Sequence, residues 1–497
     1  TNMASLSETQ MAAIATIGVK VFTTTTFAAF AETQLAALST TQVASLTTSQ
    51  LQALNSTKFA SFTETQIGAL TTSQVAAIST TNLSALGATQ INAFRTTQLQ
   101  TLSTTQLNGL TTTDIGELTT TQIGQLTTAQ VRGISTTNIG ALSDTQVLAL
   151  STTQLASFST TNLSALDATQ VGQLTTTQVR SLTATHITGL TATDVAEFTT
   201  DQLGALTTTQ AAALTSTNMA DLVETQIQAL TTTSLRAMSS TNIASMTTTQ
   251  LASLTTQQAA SLSNTQLNAL NSTKFGAFTE TQIEALTTAQ VASISATNLN
   301  SLGATQIAAL AATQVANLSA TQIGALTATS VSALTETQIG AITATQIKSL
   351  STTNLSGLDG TQAAALTTTQ IAGLTTTQAG ALSATDIGEL DATQIGALTG
   401  TLLSRLTTQA VVALDATQIG GLNSTQLQSF TTTQIAALGA GDVAEFPSRI
   451  SGAPIRQETW HNAETQARVA ALNMLGGDES YRGTAWFWSD QYDWQLQ

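Results

Sequence analysis

An apolar residue falls at every eighth position from Leu6 to Phe446, through Ile14, Phe22, Phe30, Leu38 and Leu46, without an insertion or a deletion. A second apolar series follows each of these by five residues: Met11, Val19, Phe27, Leu35, Val43, Leu51. It softens to alanine at Ala211, Ala259, Ala363 and Ala379. One octad, Leu38 to Leu46, reads LSTTQVASL. Ser39 can cap a helix by accepting from the backbone N–H three residues on. Gln42 stands at that third position and can reach back to the N–H of Ser39, which is the capping-box spacing. Leu38 before the cap and Val43 at the fourth helical residue have the spacing of a hydrophobic staple. Nearly every octad repeats both signatures in one register, so the pattern predicts a helix of about six or seven residues per octad, then a corner at the next Ser or Thr.

One continuous helix does not fit. An eight-residue repeat drifts by about 80° each time at 3.6 residues per turn, and Thr triplets are poor helix interiors. A Thr-rich β-solenoid is the alternative, because Thr and Ile favour strands. The apolar spacing alternates five and three, however, and both are odd. Along an uninterrupted strand, neighbouring apolar residues would face opposite sides, so a β reading needs a corner or bulge in every octad. The expected fold is therefore all-α: a solenoid of short capped helices built from 8-residue repeats, with a small non-repeat C-terminal tail. Burying two aliphatic side chains per octad gains about 3–6 kcal/mol, whereas fixing eight residues costs roughly 8–16 kcal/mol of backbone entropy. A lone octad should not fold, and stacked octads share buried faces. The array also carries copied blocks. NSTKF at Asn55–Phe59 returns at Asn271–Phe275, and STTNLSAL at Ser79 returns at Ser159, ten octads later.

Composition narrows the chemistry. Charged residues are 8%, aromatics 4%, and the net charge of −15 is spread thinly, with no basic patch for nucleic acid. No cysteine is present and the two histidines, His186 and His461, cannot form a cluster, so no metal site is expected. No apolar run approaches the roughly 20 residues of a membrane span. Asp114, Asp194 and Asp386 occupy the position usually held by Gln and read as alternative cap partners. His186 sits at the same position and reads the same way. Lys58 and Lys274 read as two copies of one surface residue. The Thr hydroxyls are not nucleophiles without a base. Regular Thr rows could instead contact an ordered surface such as ice or polysaccharide.

The tail departs from all of this. Both prolines, all four tryptophans and both tyrosines lie after Phe446. The stretches GDVAEFP, IRQETWHNAETQARVAALNMLGG (Ile455–Gly477) and WFWSDQYDWQLQ occur there in that order. In them, residues from about Gly441 to Gln497 resemble the C-terminal portion of FAD-dependent ferredoxin reductases of the rhodocoxin and putidaredoxin reductase type. The resemblance implies that Asp442 would bind the ribityl chain of the flavin and that Trp460 would lie close to it. The family also needs two Gly-rich dinucleotide folds. No GxGxxG occurs in the chain, and 54 octads stand in their place. The resemblance therefore implies shared ancestry or fusion of a segment, and Asp442 and Trp460 alone cannot hold FAD.

Two domains are expected, 1–440 as the repeat solenoid and 441–497 as a truncated flavin-reductase-like segment, with the join near Gly441 in a chimeric or truncated gene product. DVAEF also occurs inside the array at Asp194–Phe198, so the stretch LGAGDVAEFP fits both parts. The expected role is non-catalytic: a spacer, stalk or adhesive surface, with self-association or cell-surface contacts, outside a bacterial cell or on its surface. A ferredoxin reductase remnant using FAD and a Thr-rich binding face are the alternatives.

Overall fold

The structure, a computed structural model, describes residues 5–440 together with the backbone of 446–447 and 454–455. Among the described residues, 54 helices follow one another from Glu8–Ala13 to Thr432–Ala440, one per octad. Among the described residues the array contains no strand, and the only pairing is a two-residue antiparallel ladder of Phe446–Pro447 with Pro454–Ile455. The solenoid of short capped helices is thus the fold, and the β-solenoid is not.

Many helices reach the six residues that the octad pattern predicts, and most of the others are shorter, at four or five. Thr40–Ser45 spans six residues, Thr48–Gln52 five and Thr152–Leu155 four. The reason lies at their ends. Leu46 closes the first of these by donating its N–H to the carbonyl of Val43, and its own backbone turns extended at φ −58°, ψ 146°. In the shorter helices the residue before the leucine, such as Ala53, takes a bent αR conformation and accepts no further helical turn. The leucine is therefore the corner itself, and the next Ser or Thr is already a cap.

Through the body of the array both apolar series are buried; near its ends Ile14, Phe22 and Ile419 are half-buried. Val43, Leu51 and Ile67 from the soft series lie beside Leu46, Leu54 and Leu70 from the strict one. The alanines that replace soft-series residues, Ala211 and Ala259 among them, are buried as well. The copied NSTKF blocks keep their packing, with Phe59 edge-on to Phe62 at 5.6 Å and Phe275 edge-on to Phe278 at 5.5 Å.

Contacts divide the chain into two compact units, Thr1–Leu262 and Ser263–Gln497. Each follows one rule, in which a helix packs on the third helix along. In the first unit Thr16–Lys20 packs on Thr40–Ser45, and Ala192–Ala196 on Ser216–Asp221. In the second unit Ala312–Ala316 packs on Glu336–Ala341, and Ala384–Gly388 on Thr408–Val412. Side-chain bonds meanwhile reach back 28 residues. One turn of the coil therefore takes between three and four octads. Successive turns lie close: a Cβ added at Gly109 would fall 2.6 Å from Cγ2 of Thr80 on the turn below.

Candidate functional site at the joints between turns

The densest polar chemistry of the described residues sits at the third residue of each helix. Gln42 shows the full arrangement. Its Oε1 accepts from the N–H of Ser39 at 2.6 Å, and its own N–H donates to Oγ of Ser39 at 3.2 Å. That is the box the octad pattern predicts. Its Nε2 does something more, donating to the carbonyls of Met11 at 2.9 Å and Ile14 at 2.7 Å. Those carbonyls are at the C-terminal end of the helix Glu8–Ala13, one turn of the coil earlier. One amide thus caps its own helix and also closes the free end of another, where carbonyls would otherwise lack partners. Gln42 is 1% exposed, which a primary amide tolerates only when both its ends are bonded.

The same joint recurs in both units. Gln130 bonds Leu99 and Leu102, Gln210 bonds Val179 and Leu182, and Gln370 bonds Ile339 and Ile342. A second link runs the other way. Asn108 donates to the carbonyl of Gly133 and Gln52 to that of Ala77, each 25 residues ahead.

Substitutes for Gln reveal what the joint requires. His186 accepts from the N–H of Thr183 through Nδ1 at 3.1 Å, while its Nε2 meets the carbonyl of Phe158 at 2.9 Å. That network assigns the hydrogen to Nε2, so the imidazole copies an amide, accepting at one end and donating at the other. Asp114, Asp194 and Asp386 accept from the N–H groups of Thr111, Thr191 and Ser383 as the cap reading expects. A carboxylate has no hydrogen to donate across the turn. Instead a serine 30 residues earlier donates to it: Ser84 to Asp114, Ser164 to Asp194, and Ser356 to Asp386. Lys58 departs from expectation. It is half-buried and its ammonium donates to the carbonyl of Ala28, so it is a joint residue and not merely a surface one.

A glutamate of like charge lies beside each of two of these aspartates, Glu197 by Asp194 and Glu389 by Asp386. Burial holds the Glu197 carboxyl above its ordinary value of 4.5, and the neighbouring Asp194 and Asp167 push it the same way. Burial, Asp386 and Asp359 do the same for Glu389. Buried oxygens of Glu117 and Glu197 have no hydrogen-bond partner. Asp359 runs opposite. The hydroxyl of Thr361 and the N–H of Gln362 hold its carboxyl below 3.8. Among the described residues no group of three or more His, Cys, Asp or Glu side chains is placed to hold a metal, and no helix is long and apolar enough to cross a membrane. Asp442 and Trp460 lie outside the described residues.

The array matches a known repeat. The family model of the ALTTAQ repeat matches residues 48–80 and 93–128. Those six letters occur here at Ala285–Gln290, where Leu286 precedes the cap, Thr287 is the cap and Gln290 is the joint amide. A short segment is similar to ferredoxin reductases. The ferredoxin–NAD(+) reductase component of the anthranilate 1,2-dioxygenase system of Burkholderia cepacia is 45% identical over 62 residues, 12% of this chain and 15% of that protein. Rhodocoxin reductase of Rhodococcus erythropolis is 40% identical over 57 residues, 12% of this chain and 13% of that protein. The corresponding component of the 3-phenylpropionate/cinnamic acid dioxygenase of Photorhabdus laumondii is 41% identical over 58 residues. The chain spans about 15% or less of the length of these relatives. The chain is thus a repeat protein carrying a short reductase-like segment.

Proposed function

We propose that this protein is a non-catalytic structural repeat protein, a spacer, stalk or adhesive surface that acts outside a bacterial cell or on its surface, with partners that include cell-surface groups or further copies of itself. One observation carries the reading. The polar groups that the repeat multiplies are consumed in holding the coil together: the cap hydroxyls bond the third N–H, and the amides behind them bond two helices at once. A Thr-rich face for ice or polysaccharide is correspondingly weaker, because the first Thr or Ser of each triplet is spent as a cap. The reductase-like segment is a remnant joined to the array, in a chimeric gene product. One sequence relation favours a join near Gly441. Every aspartate at the joint position has a serine 30 residues before it, but Asp442 has Val412 there, half exposed. The helix Thr432–Ala440 also runs nine residues, across the point where the next cap belongs.

The test is a flavin titration of the full chain, followed by NADH oxidation with an artificial electron acceptor. The proposal expects no retained FAD fluorescence quenching and no turnover. Stoichiometric FAD retention would overturn it in favour of a flavin reductase using Asp442 and Trp460. Labelling of intact source cells with a membrane-impermeant amine reagent tests the location, and a protein protected until lysis would overturn that part.

A further inference from the structure

From Gln34 to Gln434 the joint position holds Gln, Asn, Asp, His, Lys or Ser in every octad but two, and those two are adjacent: Leu402 and Ala410. Both are buried, so the turn is packed there, but neither can donate or accept. Their caps are reduced to a single bond each, Thr399 accepting from the N–H of Leu402 at 3.3 Å and Thr407 from that of Ala410 at 3.1 Å. The amide that belongs at 410 stands one residue early. Gln409 is exposed and meets only the hydroxyl of its neighbour Thr408, at 3.3 Å. On the turn below, the carbonyls of Leu374 and Leu382 occupy the places an amide 28 residues on would reach, and no amide stands there. The flanking joints are complete. Gln394 donates to Leu366 at 2.7 Å, and Gln418 donates to Leu390 at 2.6 Å.

We infer that the octads Thr399–Leu414 are a built-in yield point, at which the array opens locally before the octads on either side do. In a coil whose stability is a sum over neighbouring repeats, opening begins where the interface term is smallest. Apolar contact at Leu402 and Ala410 is non-directional and holds no register, whereas each missing amide removes bonds that fix one turn on the next. Two missing in succession leave a gap of two octads without a side-chain link back to the earlier turn. Arg405, exposed between the two helices, lies in the middle of the gap.

Native-state hydrogen exchange of the full chain, read by mass spectrometry, tests this. Amides of 399–414 are expected to exchange at least tenfold faster than those of 367–382 and 415–430. The double variant Leu402→Gln/Ala410→Gln is expected to remove that difference. Because the variant could fail to fold, Gln338→Leu/Gln346→Ala provides the converse test, and it should create a second fast patch at 335–350. Uniform exchange in the parent chain would overturn the inference. So would fast exchange at 399–414 that restored amides leave unchanged, or a transplanted pair that produces no new patch.

Discussion

Two joints sixteen residues apart in the same unit do the same work with opposite polarity. At Gln370 the side chain accepts from Thr367 at 2.6 Å and donates to Ile339 at 2.7 Å and Ile342 at 2.6 Å. At Asp386 the side chain accepts from Ser383 at 2.7 Å and also from the hydroxyl of Ser356. In the first the later turn carries the donor; in the second the earlier turn does. A buried joint is thus indifferent to which side supplies the hydrogen, provided donors and acceptors balance. The carboxylate version adds a buried charge, which, after burial itself, helps hold the neighbouring Glu389 carboxyl above its ordinary value.

The largest effect should come from Gln370→Glu. An isolated capping box accepts Glu as readily as Gln, so a purely local cap predicts almost no change. The joint predicts a loss of about 2–4 kcal/mol, because a carboxylate replaces the donor facing two buried carbonyls. Thermal unfolding of the full chain with local hydrogen exchange at 367–374 would decide, and an unchanged variant would reduce the joint to a cap.

Removing the donor at the other joint should cost less. Ser356→Ala leaves Asp386 one bond short, worth about 1–3 kcal/mol. Asp386→Gln in that background should restore stability, since the amide can donate to the earlier turn itself. A double-mutant cycle should therefore depart from additivity by about 0.5 kcal/mol or more, and strict additivity would dissolve the pairing.

The pH dependence should be smaller and of defined sign. Glu197 and Glu389 bind a proton more tightly when folded, first because of burial and then because of neighbouring aspartates. Their contribution is present below about 4.5 and is lost as pH rises through the raised folded value. Melting temperature should accordingly increase as pH falls from 7 towards 4.5, and Glu197→Gln/Glu389→Gln should flatten that limb. Asp359 acts in a separate window. Its carboxyl lies below 3.8, so its contribution is lost only in stronger acid. A melting temperature that falls steadily from pH 7 would contradict the assignment. The smallest effect belongs to the exposed middle residue of a cap triplet such as Ser39–Thr40–Thr41. Thr40→Ala, on the surface of the helix Thr40–Ser45, should stay within about 0.5 kcal/mol by the same melting assay.

Much of the local structure was legible from eight-residue spacing. The cap at Ser39, the box at Gln42 and the staple of Leu38 with Val43 are relations within five residues, and local backbone geometry dictates them. The role of Asp114, Asp194 and Asp386 as cap partners was legible for the same reason. Their serines were not found, although a signal was present: Ser84 and Ser164 recur with the same ten-octad shift as their aspartates. Another signal was the complete absence of Glu from the joint position between Gln10 and Gln434. A local box has no reason to exclude Glu, so the exclusion points to a donor needed elsewhere. The half-buried position of Lys58 carried no comparable signal, because its partner carbonyl at Ala28 belongs to a backbone that any residue could supply.

By itself the sequence determined the period, the caps and the two apolar faces, since each depends on residues close enough along the chain to interact in one short helix. The tertiary structure alone decided which octads meet. Coil closure places position i over position i − 28, which is not a whole number of octads, so no comparison of aligned repeats could show that the amide of one repeat belongs to the carbonyl end of another.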